Sequence, residues 1–186
     1  MRKNFGRKTI VTPLPVLMIG TYDENGSPNV MNVAWGGQCG ANYVEINLIK
    51  HKTTDNIKIK KAFTMSFATK DTMAISDYFG IESGYDADKI EKSGVHVSKS
   101  EYVDAPIIEE YPLTLECEVV EIFEEFGKAR VIGKVINMSA DESILDENGN
   151  LDIDSMGAIT FDSETLTYRE LGKVIGKAYS VGEVFK

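Results

Sequence analysis

Apolar residues along this chain recur mostly with a period of two, and that period sets the first expectation. Val16 to Tyr22 (VLMIGTY) is a short apolar run, and DENGSP follows, with Asn25-Gly26 as a hairpin signal. Asn29 to Trp35 (NVMNVAW) alternates, with Val30, Asn32 and Ala34 on one face and Met31, Val33 and Trp35 on the other. Tyr43 to Ile49 alternates in the same way, and Ala62 to Thr69 reads as a fourth strand. LTLECEVVEIFEE and ARVIGKVINMS flank Phe126-Gly127-Lys128 and predict a long hairpin, and Gly157 to Asp162 predicts another strand. Helices are expected only at Thr54–Lys61, Thr72–Phe79 and Asp86–Lys92, while SADESILDENGN reads as a loop. No repeat, low-complexity linker or domain break interrupts the chain. Many strands with a few interposed helices predict a mostly β fold with helical insertions, a β-barrel forming one domain over residues 1–186.

Charge and composition narrow the function classes. The formal net charge is −9 and no long Lys/Arg block exists, so nucleic acid is not an expected partner. The basic start of the chain leads into an apolar part broken by Pro13 and Pro15, without a small-residue cleavage site, so no signal peptide is expected. No apolar run approaches the roughly 20 residues that span a bilayer, so no membrane is expected either. Cys39 and Cys117 form neither a metal-ligand spacing nor a disulfide framework, and the acidic SADESILDEN stretch lacks the spacing of a calcium loop; no metal is expected. A cytoplasmic, reduced protein is the simplest reading.

Two stretches carry candidate chemistry. In LIKHKTTDNI, Lys50, His51 and Lys52 fall consecutively in an acidic chain, Thr53 and Thr54 follow, and a helix begins. A helix start offers unpaired N–H groups and the positive end of the macrodipole, and hydroxyls and cations beside it complete a phosphate site. The plainer alternative is a threonine N-cap with solvated lysines. In PNVMNVAWGGQCG, Asn29 and Asn32 interrupt an otherwise apolar strand, and asparagine there implies a polar partner. The sole tryptophan then meets Gly36-Gly37, where backbone approaches a ligand closely. In-plane donors beside apolar surface suit a flat heteroaromatic ligand. The alternative is an edge strand ending in a glycine turn, with Trp35 in the core.

In order and spacing these stretches resemble the flavin reductase-like group of FMN-binding split barrels, and within it the flavoredoxin-type proteins. The resemblance covers nearly the whole chain, through PLPVLMIGTYDENGSPNVMNVAW, KHKTTDNIKIKKAFTMSFAT, YFGIESGYDADKIEKSG, LTLECEVVE and the tail GKVIGKAYSVGEVF. It implies a split β-barrel of FMN-binding type. It further implies that Asn29, Val30, Met31, Asn32, Ala34 and Trp35 run along the isoalloxazine and that Asn47, Lys50, His51, Lys52, Thr53 and Thr54 serve the phosphate. Ser83, Gly84, Asp88 and Lys89 come near the pocket, although Asp86 also reads as a helix cap. Many relatives carry an arginine near the phosphate segment, where this chain has lysines and a histidine.

The resemblance also implies a homodimer with the flavin at the subunit seam, walled in part by Tyr179 or Phe185 of the tail. No acid–base triad is visible and no catalytic side chain is assigned, which suits a cofactor that carries the chemistry itself. The leading functional reading is an FMN oxidoreductase taking electrons from NAD(P)H or a redox protein. A flavoredoxin-like electron carrier without a small-molecule substrate, or a non-enzymatic ligand-binding barrel, are the alternatives. Cys117 reads as core, and Cys39 as a small hydrophobe with no catalytic role.

Overall fold

The computed structural model describes residues 1–186 and contains twelve strands and four helices. In chain order these are β1 (Leu14–Pro15), β2 (Leu17–Tyr22), β3 (Pro28–Val33), β4 (Gly36–Gly40), β5 (Tyr43–Leu48), α1 (Lys52–Lys60), β6 (Ala62–Phe67), α2 (Met73–Ile81) and α3 (Lys89–Ser93). Then follow β7 (Val97–Lys99), β8 (Pro106–Ile108), β9 (Leu113–Glu125), β10 (Lys128–Ala140), α4 (Ile153–Met156), β11 (Ile159–Asp162) and β12 (Thr167–Glu170). Seven strands form one antiparallel sheet in the order β3-β2-β6-β9-β10-β5-β4, while β1-β11-β12 and β7-β8 form two smaller sheets.

The large sheet is curled into a barrel, as its core requires. Leu17 and Ile19 from β2, Met31 and Val33 from β3, Ile46 from β5, Phe63 from β6 and Val131 from β10 belong to one buried cluster. Strands from opposite ends of a flat seven-stranded sheet would be too far apart to share it. The edge strands β3 and β4 follow one another in sequence but do not pair, so the barrel is split. Two turns set the register. Gly26 has φ +83 between β2 and β3, and the Asp23 carboxylate accepts from the amides of Asn25 and Ser27 at 3.0 and 2.9 Å. Phe126 and Gly127, both at positive φ, close the β9–β10 hairpin.

Strands β2 and β3 are buried on both faces. Met18 and Val30, together with the preceding Val16, point away from the barrel and pack with Phe79 of α2, Ile108 of β8 and Ile159 of β11. Such two-sided burial explains why VLMIG reads as a continuous apolar run rather than an alternating one.

Several sequence expectations are corrected. The third strand stops at Val33 rather than Trp35, and Trp35 is 63 % exposed, not in the core. The glycine stretch after it is a strand, β4, recognisable only through its pairing with β5. Helix α1 begins at Lys52, two residues early, with His51 rather than a threonine at the N-cap. Asp88, not Asp86, caps α3 by accepting from the Glu91 amide at 3.0 Å. The loop SADESILDENGN contains a short 3-10 turn at Glu142–Ile144. Cys39 is exposed, whereas Cys117 is buried as expected.

The barrel wall leaves no room at Gly133, where a Cβ would meet the ring of the fully buried Phe63 at 2.5 Å. Overpacking of this kind costs about 1–3 kcal/mol. Gly133→Ala is therefore expected to lower the unfolding free energy by that amount, read as a lower urea midpoint with an unchanged m-value, and Gly127→Ser is not the matching control because its φ of +73 adds backbone strain.

Candidate functional site

The N-terminus of α1 opens into a cavity of about 160 Å³ lined by Asn29, Met31, Asn32, His51, Lys52, Thr53, Ser83, Gly84 and Lys89, together with the end of α2 at Phe79–Glu82. Three elements distant in sequence meet here. Strand β3 supplies the floor, α1 supplies its first turn, and the α2–α3 connection forms the opposite wall.

A buried hydrogen bond holds floor to helix. Asn29 Nδ2 donates to Thr53 Oγ1 at 2.7 Å, and both residues are almost fully buried. The asparagine that strand propensity disfavours thus has the polar partner its position demanded. Because Thr53 Oγ1 accepts from Asn29, its hydroxyl proton remains free to donate elsewhere. Asn32 Nδ2 donates to the Ser76 carbonyl at 2.9 Å, tying β3 to α2 and leaving the asparagine carbonyl oxygen as an acceptor. Gly84 lies so close to this floor that a Cβ there would stand 2.2 Å from Asn29 Oδ1.

The helix start is rich in donors. His51 makes no side-chain cap, so the first-turn amides of α1 have neither an intrahelical partner nor a capping side chain. Of the nearby cations, Lys52 is engaged by Asp23 at 3.5 Å. Partial desolvation, and secondly the charge of Lys89, hold the His51 imidazole below its ordinary pKa.

Lys89 is different. It is only 4 % exposed, forms no ion pair, and its ammonium makes a single hydrogen bond, to the Phe79 carbonyl at 3.1 Å. Two of its three donors have no protein acceptor. Burial brings its pKa down from 10.5 to about 8, against a smaller opposing pull from Glu82. A buried, under-satisfied ammonium sharing a cavity with a helix N-terminus is a donor set that could hold an anion.

The remaining residues expected from the sequence lie elsewhere. Val30 is buried between β3 and α2. Ala34 and the exposed Trp35 occupy the break between β3 and β4, outside the cavity lining, and the Trp35 carbonyl accepts from the Asn47 amide at 2.8 Å. Thr54 turns its hydroxyl to the Ile49 carbonyl at 2.6 Å, and with Lys50 it borders a separate depression shared with Lys58, Glu124 and Lys128. Tyr179 is wholly exposed in the tail. Conversely, Phe79, Gly80, Ile81 and Glu82 line the cavity without having been singled out by the sequence. They end a helix whose pattern signals only an apolar face, and nothing local announces that it abuts β3.

The charge of Lys89 has a measurable cost. Its folded-state pKa lies below the unfolded value, so between about pH 8 and 10.5 the unfolded chain holds the extra proton. The penalty is complete below pH 8 and is relieved as pH rises through that window. Lys89→Met is expected to raise the thermal midpoint of the apoprotein at pH 7, and the difference from wild type should shrink as pH rises from 8 towards 10.5.

The geometry has counterparts among known proteins. Flavoredoxin of Desulfovibrio vulgaris (Miyazaki F) is 32% identical and superposes with a TM-score of 0.93, covering 98% of this chain and 100% of that one. Flavoredoxin from Methanosarcina acetivorans is 26% identical with a TM-score of 0.92 and covers both chains completely. An FMN-binding protein from Thermus thermophilus, at 18% identity and a TM-score of 0.77, covers 95% of this chain and 100% of that one and shares the fold. Residues 9–168 match the flavin reductase like domain, and the chain belongs to that family of split-barrel flavoproteins.

Proposed function

We propose that the chain binds FMN with its phosphate against the α1 N-terminus and Lys89, and works as an oxidoreductase passing electrons from NAD(P)H or a redox protein to an acceptor. The observation that carries this reading is the buried Lys89 ammonium with two unpaired donors, facing a helix start that no side chain caps. This donor set fits a phosphate monoester: it combines a positive charge, first-turn amides, the Thr53 hydroxyl proton and the Ser83 side chain. A dinucleotide fingerprint is absent from the sequence, which disfavours FAD.

The chain's own residues divide the work. Lys89 and the α1 amides hold the phosphate, and the Asn29–Thr53 bond fixes the floor on which the ligand rests. Asn32 presents an in-plane acceptor, and Met31, Phe79 and Ile81 offer apolar surface. When bound, the flavin supplies hydride and single-electron chemistry, so no acid–base side chain is required. A cavity of about 160 Å³ is smaller than the roughly 300–1,000 Å³ typical of cofactor sites. It takes the phosphate end and the near edge of the ring system, and leaves the rest of the rings to a more open surface, such as the one beside the exposed Trp35. That incompleteness supports a homodimer in which a second copy covers the flavin.

Apoprotein is expected to bind FMN far more tightly than riboflavin in a fluorescence-quenching titration, and equal affinities would overturn the phosphate assignment. Losing a charge-assisted hydrogen bond costs roughly 1.5–3 kcal/mol. Lys89→Met should therefore weaken FMN by about tenfold or more while leaving riboflavin unchanged. In wild type the FMN affinity should fall as pH rises through about 8, where Lys89 loses its proton, and the variant should lack this step. The Thr53→Ala, His51→Ala double variant should weaken FMN several-fold, and Lys52→Ala should be milder because Lys52 already pairs with Asp23.

The likeness to two flavoredoxins is the ground for a second reading, an electron carrier without a small-molecule substrate. Anaerobic NADH or NADPH added to the FMN-loaded protein separates the two. Rapid bleaching of the flavin absorbance is the expected result, and persistence of the oxidised spectrum with both nucleotides would favour a carrier reduced only by a protein.

A further inference from the structure

Asn32 reaches the candidate site from β3, but residues outside the cavity lining decide what it offers there. On β12, the Tyr168 hydroxyl donates to Asp77 Oδ1 of α2 at 2.7 Å, a bond between segments 91 residues apart in sequence. Tyr168 is half-buried, and its ring stands beside Phe161 of β11 with centroids 6.1 Å apart. Asp77 directly follows Ser76, whose carbonyl accepts from Asn32 Nδ2 at 2.9 Å. The Ser76 hydroxyl, fully buried, is in turn hydrogen-bonded to the Tyr111 hydroxyl at 3.0 Å. This turn of α2 is thus held by Tyr168 on one residue and by Tyr111 on the next, and it presents one carbonyl to Asn32.

An asparagine amide can turn either end outward, and the end it turns outward decides whether it donates or accepts. Here the protein makes that choice. The Ser76 carbonyl can only accept, so the NH2 end of Asn32 must face it. The single Tyr168 proton is committed to Asp77, so the phenolic oxygen is left as an acceptor. The Asn32 side chain stands within reach of that oxygen and acts on it as a donor. It pulls the phenol's pKa down, against the larger upward effects of burial and then of Asp77, which hold it at about 12. Both Nδ2 protons are thereby directed at protein acceptors, and Oδ1 is what Asn32 has left for the cavity.

We propose that Tyr168 and Asp77 are positioning residues for the flavin site: they hold Asn32 in one amide orientation and make it an acceptor, so that the ligand group it binds carries a hydrogen. The inference rests on the flavin reading above and names what orients one of its polar contacts. An isoalloxazine meets the requirement with a ring N–H, and a ring nitrogen without hydrogen receives no bond from Asn32. The Tyr168–Asp77 bond is exposed and adds little stability by itself, so its consequence lies in the amide it orients. Because Asn32 serves the ring end and Lys89 the phosphate, the two contacts should separate in binding: the first is felt by riboflavin and FMN alike, the second by FMN alone.

Three full-length variants test this: Tyr168→Phe, Asn32→Ala and the two combined. Fluorescence quenching reads riboflavin and FMN affinity, nitrogen-edited NMR of the apoprotein reads the side-chain amide signals of Asn32, and circular dichroism checks the fold. Tyr168→Phe is expected to weaken riboflavin and FMN by the same factor, about threefold to tenfold. It should add nothing in the Asn32→Ala background, because it acts through Asn32. In the apoprotein it should move one of the two Asn32 Nδ2 proton signals and leave the other, bonded to Ser76, in place. Equal effects of Tyr168→Phe in both backgrounds overturn the proposal, since a merely structural tyrosine would give that result, and so does an unmoved pair of amide signals. Equal wild-type affinity for FMN and riboflavin, with both still weakened by Tyr168→Phe, overturns the phosphate assignment and supports the Asn32 contact. A wild type that binds neither flavin overturns both.

Discussion

The site depends on one buried hydrogen bond, from Asn29 Nδ2 to Thr53 Oγ1. It joins the floor strand to the first turn of α1 at a point where both backbones are enclosed. Its length leaves no slack for Gly84, which passes so close that any side chain there would collide with Asn29. Around this bond the rest follows. Helix α1 is pinned with its start facing the cavity, α2 is tied to the same strand through Asn32, and the segment between α2 and α3 is drawn over the top. The asparagines on β3 are tolerated because each side-chain amide nitrogen is paired, Asn29 with Thr53 and Asn32 with the Ser76 carbonyl.

Lys89 shows stability being given up for recognition. A lysine in this environment is strained electrostatically: its charge is poorly solvated, and burial moves its pKa to about 8. A structural role would be served better by an apolar residue of similar length. The arrangement makes sense when an anion is the missing partner. In the FMN complex proposed above, the phosphate would satisfy the ammonium and the helix start together. By contrast, the three consecutive cations at residues 50–52 are divided by the turn: Lys50 borders another depression, while His51 and Lys52 line the cavity, Lys52 already paired with Asp23.

The barrel explains why the cavity is small. Its interior is filled by side chains such as Phe63, Met65 and Ile46, which leave no internal space for a cofactor. The candidate cavity lies instead on the outside of the barrel, between β3 and the covering helices. A site on the outside of a packed barrel is open on one side, and an open flavin site is where a second protein surface is most useful.

The sequence by itself determined the strand periodicity, the two hairpin turns and the presence of unusual polar residues in β3, because each is a local property of side-chain alternation and backbone conformation. It also made the helix start at α1 legible, since a run of cations and hydroxyls after a strand has a local physical meaning. It left open which cation would matter, and of the three it pointed to the fold keeps His51 and Lys52 at the cavity and sends Lys50 elsewhere. Lys89 stands out only once burial is known, because a lysine is unusual by its surroundings and not by its neighbours in sequence. The same holds for β4, an edge strand of glycines defined by its partner, and for Phe79 to Glu82, brought to the site by the packing of α2 on β3. Pairing, burial and desolvation are relations between distant segments, and only the tertiary structure creates them.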